Sequence, residues 1–221
     1  MFKMGRSDIA IIIPAFNEEK SIENIVTSCT KYGEVIVIND GSNDKTSYKA
    51  TKAGSLVLNH SKKKGYDAAL NTGFNYAFQK KYKFFITLDA DGQHDPIYIP
   101  TFIKKLNSGF DIIVGNRDFK ARFSENLFDI YTKTFWNISD PLSGLKAYKY
   151  AVYHKLGYFD SYKSIGTELL LFGLKKGYKV TNMNIKVKPR KDNSRFGSLI
   201  KSNLKIIKSL LLSFLKNYNY L

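Results

Sequence analysis

The sequence is poor in the residues that make covalent or metal cross-links. It contains one cysteine, Cys29, and three histidines among 221 residues. A lone cysteine excludes an intrachain disulfide, and so few cysteines and histidines argue against a structural zinc centre. Long apolar runs are also missing, since none approaches the ~18 residues of a membrane-spanning helix. The start, Met1 to Asp8, is short and polar, so we expect neither a transmembrane helix nor a secretory leader.

Acidic residues are scarce relative to basic ones. The chain has 35 Lys and Arg against 19 Asp and Glu, a formal net charge of +16. Such a charge favours anionic partners, which include nucleic acid, an anionic membrane surface and a phosphorylated substrate. A compositional bias spread over the whole chain is the alternative explanation. The hydrophobic fraction of 43% is enough to build the core of one domain of ordinary size.

Apolar runs of strand length alternate with segments of helical spacing in the first half of the chain. The runs cover residues 9–13, 35–38, 56–58, 84–88 and 111–114. This rhythm predicts an α/β fold, a single Rossmann-like domain with a mostly parallel central sheet and helices on both faces. We expect the domain to cover residues 1–197. We expect residues 198–221 to form a basic amphipathic helix, packed on the domain or lying on the membrane surface.

Carboxylates follow three of the predicted strands, in the segments 14–18, 40–44 and 89–94. Ligands of parallel sheets bind at the carboxyl ends of the strands, so these segments are the predicted site. Asp89 and Asp91, two residues apart, can share one hard cation such as Mg²⁺ or Mn²⁺. Asp44 is expected to cap the next helix, whereas Asp40 is expected to be functional.

Several segments together resemble the motifs of a known enzyme family. They are IIIPAFNEE at 11–19, VINDGSNDKT at 37–46, LDADGQHDP at 88–96, GNR at 115–117, DPLSGLKA at 140–147, PR at 189–190 and SRFG at 194–197. They look like family-two glycosyltransferases with the GT-A fold. The form DADGQH followed by a proline resembles the dolichol-phosphate mannosyltransferase and polyprenyl-phosphate glycosyltransferase branch. The resemblance covers roughly residues 8 to 200 and is looser after about residue 118.

The resemblance implies roles for individual residues. The nucleotide of the donor would be bound by Pro14, Phe16, Glu18, Asp40, Lys64, Gly65, Ala69, Asp89, Ala90 and Asp91. The metal ion and diphosphate would be held by Asp89, Asp91 and Gln93.

The acceptor phosphate would be bound by Arg117, Ser143, Lys146 and Arg195. Asp140 would orient catalytic groups, and it would be the first candidate for a base if the acceptor were a hydroxyl. Relatives usually carry arginine where this chain has Lys146, and lysine keeps the charge but loses the bidentate fork.

The implied activity is inverting transfer of mannose or glucose from a GDP- or UDP-sugar to a polyprenyl or dolichyl phosphate, with Mg²⁺ or Mn²⁺. The enzyme would work in the cytoplasm, peripherally at the cytoplasmic face of an anionic membrane, with a membrane-protein partner possible and no nucleic acid. Three alternatives stay open at this point. They are a family-two transferase acting on a glycan hydroxyl, a basic nucleic-acid-binding protein and a catalytically inactive subunit.

Overall fold

The computed structural model describes residues 8–120, 122–189 and 199–216. Its strands are β1 (Ile9–Ala15), β2 (Glu34–Asn39), β3 (Leu56–Asn59), β4 (Phe84–Thr87), β5 (Ile112–Arg117), β6 (Lys146–Lys149) and β7 (Val180–Ile185). Its helices are α1 (Ile22–Cys29), α2 (Thr46–Lys52), α3 (Tyr66–Gln79), α4 (Ile99–Asn107), α5 (Phe123–Trp136), α6 (Tyr150–Leu156), α7 (Glu168–Lys175) and α8 (Leu199–Leu215). A short 3-10 helix, Pro96–Tyr98, precedes α4.

The strands form one sheet in the order β3-β2-β1-β4-β6-β5-β7. Strand β1 runs parallel to β2 and β4, and β3 and β7 are parallel to their neighbours. Strand β6 is antiparallel to both β4 and β5. The predicted α/β fold with a mostly parallel sheet is therefore confirmed. The insertion of β6 beside β4 also brings the loop before β6 next to the segment that follows β4.

Helices cover both faces of the sheet, so the core has two halves. In β1, Ala10 and Ile12 belong to one hydrophobic cluster, whereas Ile11 and Ile13 belong to the other. Burial on both faces explains why this strand reads as a continuous apolar run. Helix α3 lies so close to the sheet that a Cβ at Gly73 would overlap the side chains beneath it.

The helices refine the sequence prediction, which gave no bounds for those before residue 198. Helix α1 begins at Ile22, and the turn before it contains Asn17, whose φ of 56° is not compatible with a right-handed helix. Helix α6 was not predicted at all; it follows β6 directly, without a connecting loop. The N-cap of α2 is Lys45 and not Asp44. Asp44 lies one residue earlier, and its carboxylate accepts the amide hydrogen of Thr46, the first residue of α2, at 2.9 Å.

Helix α8 packs on the domain. Ser209 Oγ donates to the carbonyl of Ser164 at 2.9 Å, and Lys175 Nζ donates to the carbonyl of Ser213 at 2.7 Å. The division of the chain at residues 197 and 198 stays a proposal. Among the residues that the structure describes, none of the helices combines the length and apolarity needed to cross a membrane.

Candidate active site

A cleft of about 410 Å³ opens where the carboxyl ends of β1, β2 and β4 meet. Because β1 lies between β2 and β4, the loops that follow these strands lie side by side. Residues singled out in the sequence that line the cleft are Pro14, Phe16, Glu18, Asp40, Ala69, Asp89, Ala90, Asp91, Gln93 and Arg117. The structure thus brings together most of the predicted site. Arg195 lies outside the described residues.

Asp40 braces the loop that follows β3. Its carboxylate contacts the Nδ1 atom of His60 and the backbone amides of Lys64 and Gly65, each at 2.8 Å. Gly65 has a φ of 103°, a conformation that glycine adopts without steric cost. Since a carboxylate offers about four lone-pair sites, three of which are used here, Asp40 shapes this loop before any ligand binds.

Lys63, and not Lys64, turns its side chain to the cleft. The Lys63 ammonium lies 3.7 Å from the centre of the Phe16 ring, a cation–π contact. Lys64 contributes its backbone amide to Asp40. The pair of Lys63 and Phe16 therefore offers a flat aromatic surface and a positive charge next to the strand ends.

Asp89 and Asp91 stand just beyond β4. Asp91 Oδ1 accepts the amide hydrogen of Gln93 at 3.0 Å, and Gly92, with a φ of 79°, makes this tight turn possible. The Tyr66 hydroxyl donates to Asp89 Oδ1 at 3.1 Å. Burial, and next the charge of Asp89, raise the pKa of Tyr66, so this hydroxyl remains a donor at neutral pH.

Gly144 makes room for the Asp89 carboxylate. A Cβ at position 144 would overlap the oxygens of that carboxylate. The carbonyl of Gly144 accepts a hydrogen bond from Thr87 Oγ1 at 2.7 Å, which ties the loop before β6 to β4. The position of Asp89 thus depends on a residue far along the chain.

His94 is a neutral, buried side chain on the cleft. It is 5% exposed, and its Nδ1 lies 3.7 Å from Asp89 Oδ2. Within the described part of the chain neither ring nitrogen has a hydrogen-bond partner. Burial, and next the charge of Arg117, lower the pKa of His94 to about 4. The neutral imidazole can donate one hydrogen bond and accept another.

Arg117 and Asp140 form a bidentate ion pair. Nε of Arg117 and one terminal nitrogen donate to the two Asp140 oxygens at 2.8 Å each, and Glu125 accepts a third bond at 3.1 Å. Glu125 also accepts from Arg122 at 2.8 Å. Burial alone would lower the pKa of Arg117. Hydrogen bonding to Asp140 outweighs this effect, so the pKa of Arg117 is raised overall. Because both Asp140 oxygens are engaged, the geometry favours an orienting role for Asp140 over that of a base.

Ser143 and Lys146 lie beneath the cleft, buried to 0% and 3% exposure, and do not appear on its wall among the described residues. Lys146 Nζ donates to the carbonyls of Ser143 at 2.6 Å and Gly166 at 3.1 Å. Burial lowers the pKa of Lys146 to about 8, against the attraction of Asp140. In this geometry Lys146 holds two loops together, and its contact with an acceptor stays a prediction.

The cleft has two walls of different origin. The strand-end wall comprises the lining residues up to position 94, which include the carboxylates after β1, β2 and β4. The helix–loop wall comes from the later chain and consists of Arg117, Phe119, Arg122, Glu125, Leu142, Ile165, Val187 and Ile206. It combines two arginines and one carboxylate with five apolar side chains. An anionic group attached to an apolar chain is the kind of ligand that such a wall suits.

Ile165 in the helix–loop wall has a strained backbone. Its φ of 59° is rare for a β-branched residue. The turn is held by the next residue, since the amide of Gly166 donates to Asp67 at 2.7 Å. Strain of this kind concentrates at functional sites.

The strand-end wall suits a divalent cation that binds together with phosphate. Asp89, Asp91 and Gln93 all line the cleft and offer hard oxygen ligands. Across the described ranges, no three His, Cys, Asp or Glu side chains are grouped so that they could hold an ion by themselves. Mg²⁺ needs no such group, because it commonly takes one or two carboxylates and completes its shell with phosphate and water oxygens.

Sequence reasoning missed several lining residues, namely Tyr66, Phe119, Arg122, Glu125, Leu142, Ile165, Val187 and Ile206. His60, which braces Asp40, was also missed. Tyr66 could have been found, because it directly follows Gly65 in a segment already placed near the nucleotide. The remaining missed lining residues lie in loops and helices after residue 118, where no local pattern marks the residues that turn toward the cleft.

Residues 10–165 match glycosyl transferase family 2, and the chain belongs to this family. The match includes the whole strand-end wall and part of the helix–loop wall. The protein is therefore a glycosyltransferase with carboxylates placed at the ends of its parallel strands.

Similar proteins include transferases named for dolichyl phosphate. An uncharacterized protein of Methanocaldococcus jannaschii is 30% identical over 95% of this chain and 93% of its own length. A UDP-N-acetylglucosamine–dolichyl-phosphate N-acetylglucosaminyltransferase of Methanococcus voltae is 29% identical, covering 63% of this chain and 68% of its own. A dolichol-phosphate mannosyltransferase of Pyrococcus furiosus is 32% identical over 53% of this chain and 35% of its own. The predicted resemblance to the polyprenyl-phosphate branch is confirmed.

A solved structure shows the same fold. It is glucosyl-3-phosphoglycerate synthase from Mycobacterium tuberculosis, in complex with Mn²⁺, uridine diphosphate and phosphoglyceric acid. It matches with a TM-score of 0.79 at 19% identity, over 96% of this chain and 80% of that chain. The predicted GT-A fold is confirmed.

Proposed function

We propose that this chain transfers a hexose, mannose or glucose, from a GDP- or UDP-sugar to a polyprenyl or dolichyl phosphate, with inversion at the anomeric carbon. The observation that carries the proposal is the helix–loop wall, where Arg117 and Arg122 stand among five apolar side chains. An isoprenoid phosphate needs cations for its head and apolar surface for its first isoprene units. The dolichyl-phosphate relatives support the same acceptor.

The strand-end wall would bind the donor. Phe16 with Lys63 offers a surface for the base, and Glu18 and the loop braced by Asp40 lie beside it. A divalent cation, Mg²⁺ or Mn²⁺, held by Asp89 and Asp91 would neutralise the diphosphate as it leaves. The buried, neutral His94 can add a hydrogen bond without adding charge.

The acceptor would need positioning more than activation. A phosphate monoester has a second pKa near 6, so it is largely dianionic at neutral pH. One of its oxygens attacks the anomeric carbon while the bond from that carbon to the nucleoside diphosphate breaks, which inverts the configuration. Arg117, held in place by both oxygens of Asp140, keeps its charge and would clamp the phosphate. Contacts from Ser143, Lys146 and Arg195 remain part of the proposal.

A lipid acceptor places the reaction at a membrane. We therefore propose that the protein acts peripherally at the cytoplasmic face, attracted to an anionic surface by its net charge of +16. A membrane-protein partner at this surface stays a prediction.

The test offers radiolabelled GDP-mannose, UDP-glucose and UDP-N-acetylglucosamine, each with Mg²⁺ or Mn²⁺, to the full chain and a polyprenyl phosphate in detergent. We expect a lipid-linked product that survives mild alkali and is destroyed by mild acid, as a sugar phosphodiester is. Thermal shift with each donor identifies the nucleotide, because bound ligand stabilises the folded state.

Other outcomes would contradict the proposal. Label that enters only glycan acceptors would favour a family-two transferase acting on a hydroxyl. Donor binding without transfer to any acceptor would favour an inactive subunit. Salt-sensitive binding of DNA or RNA with no donor binding would favour the nucleic-acid alternative, which family membership already disfavours.

A further inference from the structure

Helix α8 exposes several large apolar residues, although it buries three serines together with Ile206 and packs Leu210 against the core. Its buried side chains are Ser202, Ile206, Ser209 and Ser213, none of them more than 2% exposed. Its exposed side chains include Ile200, Leu204, Leu211, Phe214 and Leu215, which are 54% to 80% exposed. A surface helix of a globular protein usually has the opposite arrangement. The outward apolar stripe therefore needs a partner.

Specific contacts fix this orientation of α8. Ser209 bonds the carbonyl of Ser164, and Asn203 Oδ1 accepts a hydrogen bond from Ser124 Oγ at 2.6 Å. Rotating the helix to bury Leu204 and Leu211 would break these bonds and leave the carbonyl of Ser164 without this donor. The exposure of Leu204 and Leu211 therefore follows from the way the helix packs.

Helix α5 extends the apolar stripe. It exposes Phe123, Ile130 and Phe135 to 60–70%. The ring of Tyr131 on α5 lies 4.4 Å, centre to centre, from that of Phe214 on α8, so the two helices are in direct contact. The α5–α8 apolar face comprises Phe123, Ile130, Phe135, Ile200, Leu204, Leu211, Phe214 and Leu215. An exposed apolar surface of this extent marks an interaction site.

A row of lysines borders this face. At about 3.6 residues per turn, Lys201, Lys205 and Lys208 lie on one side of the α8 stripe, and all three are exposed. Residues 199–215 contain no Asp or Glu. Leucines flanked by lysines on one helix face fit a surface of acyl chains topped by anionic headgroups.

The α5–α8 apolar face adjoins the cleft where α5 begins. Phe119 and Arg122 of the helix–loop wall lie within four residues of Phe123, which is the first residue of α5 and a member of this face. Phe119 is also 68% exposed. The α5–α8 apolar face thus borders the side chains proposed to receive the acceptor.

We propose that the α5–α8 apolar face docks on an anionic bilayer, with its leucines and phenylalanines among the acyl chains and its lysine row at the headgroups. The helix–loop wall then opens at the membrane, where a lipid phosphate can reach Arg117 without leaving the interface. This inference rests on the proposed function. A second copy of this chain is a poorer occupant, because it would bring a second lysine row to the same interface.

The experiment measures co-sedimentation of the full chain with vesicles that contain no acceptor. One set is phosphatidylcholine alone, and the other is phosphatidylcholine doped with phosphatidylglycerol. The variant Leu204→Gln/Leu211→Gln removes two exposed apolar side chains. The matched control is Tyr48→Gln/Ile97→Gln, at positions 66% and 65% exposed outside the α5–α8 apolar face.

We expect the wild type and the control to sediment with the anionic vesicles, and the Leu204/Leu211 variant to bind at least about tenfold more weakly. Lys201→Gln/Lys208→Gln should lose the preference for anionic over neutral vesicles. A wild type that stays in solution, or a Leu204/Leu211 variant that binds like the wild type, overturns the inference. So does a wild-type dimer that the same variant converts to a monomer, if neither form binds vesicles.

Activity in detergent separates this inference from the proposed function. Transfer to polyprenyl phosphate in micelles should be unchanged in the Leu204/Leu211 variant, because both residues lie outside the cleft. If the wild type binds vesicles but transfers no sugar in micelles, the proposed function fails and the docking surface stands. If the wild type transfers sugar in micelles but does not bind vesicles, the docking surface fails and the proposed function stands.

Discussion

The two walls of the cleft hold their functional side chains by different means. In the strand-end wall, carboxylates are fixed by nearby backbone amides, as Asp40 is by Lys64 and Gly65 and Asp91 is by Gln93. In the helix–loop wall, charged side chains fix one another, as Arg117 does with Asp140 and Glu125. The first arrangement depends on the backbone of loops at the strand ends. The second depends on the charges of the side chains themselves.

This difference suggests a division of labour. The strand-end wall would supply the chemistry shared by the family, since its motifs are the ones that resemble other members most closely. The helix–loop wall would select the acceptor, because it presents cationic and apolar side chains together. The following predictions test whether the two walls are separable, from the largest effect to the smallest.

Removing a strand-end carboxylate should have the largest effect. Asp89→Asn and Asp91→Asn should each lower kcat by about 10³-fold or more, because both cation binding and charge neutralisation of the diphosphate are lost. Rates with saturating donor and acceptor would measure this. Asp95→Asn is the matched control, since Asp95 lies nearby but pairs with Lys188 and is absent from the cleft wall. Near-normal rates for either Asp89 or Asp91 variant would remove the metal-site proposal.

Lys146 holds two loops together beneath the cleft, and its effect should appear as pH-dependent stability. Burial lowers its pKa from 10.5 to about 8. Between these pH values Lys146 is protonated in the unfolded chain but neutral in the folded chain. The free energy of unfolding therefore increases as the pH rises through this window. The gain is about 3 kcal/mol at 1.36 kcal/mol per pKa unit. Urea unfolding of the wild type and Lys146→Met at pH values across the window should show that increment in the wild type alone. If the free energy of unfolding changes equally with pH in both proteins, burial does not lower the pKa of Lys146.

Gly144→Ala tests whether a late residue can disable the strand-end wall. The new Cβ would overlap the Asp89 carboxylate and displace it, and a shift of about 1 Å at a reacting centre can cost about 10²-fold in rate. Donor hydrolysis and transfer should both fall, with little change in melting temperature. Unchanged turnover in Gly144→Ala would mean that Asp89 does not need its present position.

Arg117→Lys should separate the walls most cleanly. Lysine keeps the charge but loses the fork that grips Asp140 and a phosphate. We expect kcat/KM for the acceptor to fall about thirtyfold, a loss of about 2 kcal/mol, while donor affinity measured by thermal shift stays constant. Equal losses for donor and acceptor would show that the division of labour is wrong.

The sequence allowed much of the strand-end wall to be predicted, because each functional group follows a strand at a fixed short distance. Asp89 and Asp91 are examples, and only one rule, that ligands bind at the carboxyl ends of parallel strands, was needed to place them together. The helix–loop wall could not be predicted in the same way. Arg122, Leu142 and Ile206 reach the cleft through packing between elements that no local pattern connects.

By itself the sequence determined the fold class, the family and the position of the acidic centre, since periodicity and short motifs are local properties of the chain. Tertiary structure alone decided that Asp40 braces a loop and that Lys146 lies beneath the cleft. It also decided that α8 turns Leu204, Leu211 and Leu215 outward, although the same helical pattern is compatible with burying them. The physical reason is that hydrophobic periodicity fixes which residues share a helix face, whereas the hydrogen bonds of Ser209 and Asn203 fix which face meets the protein.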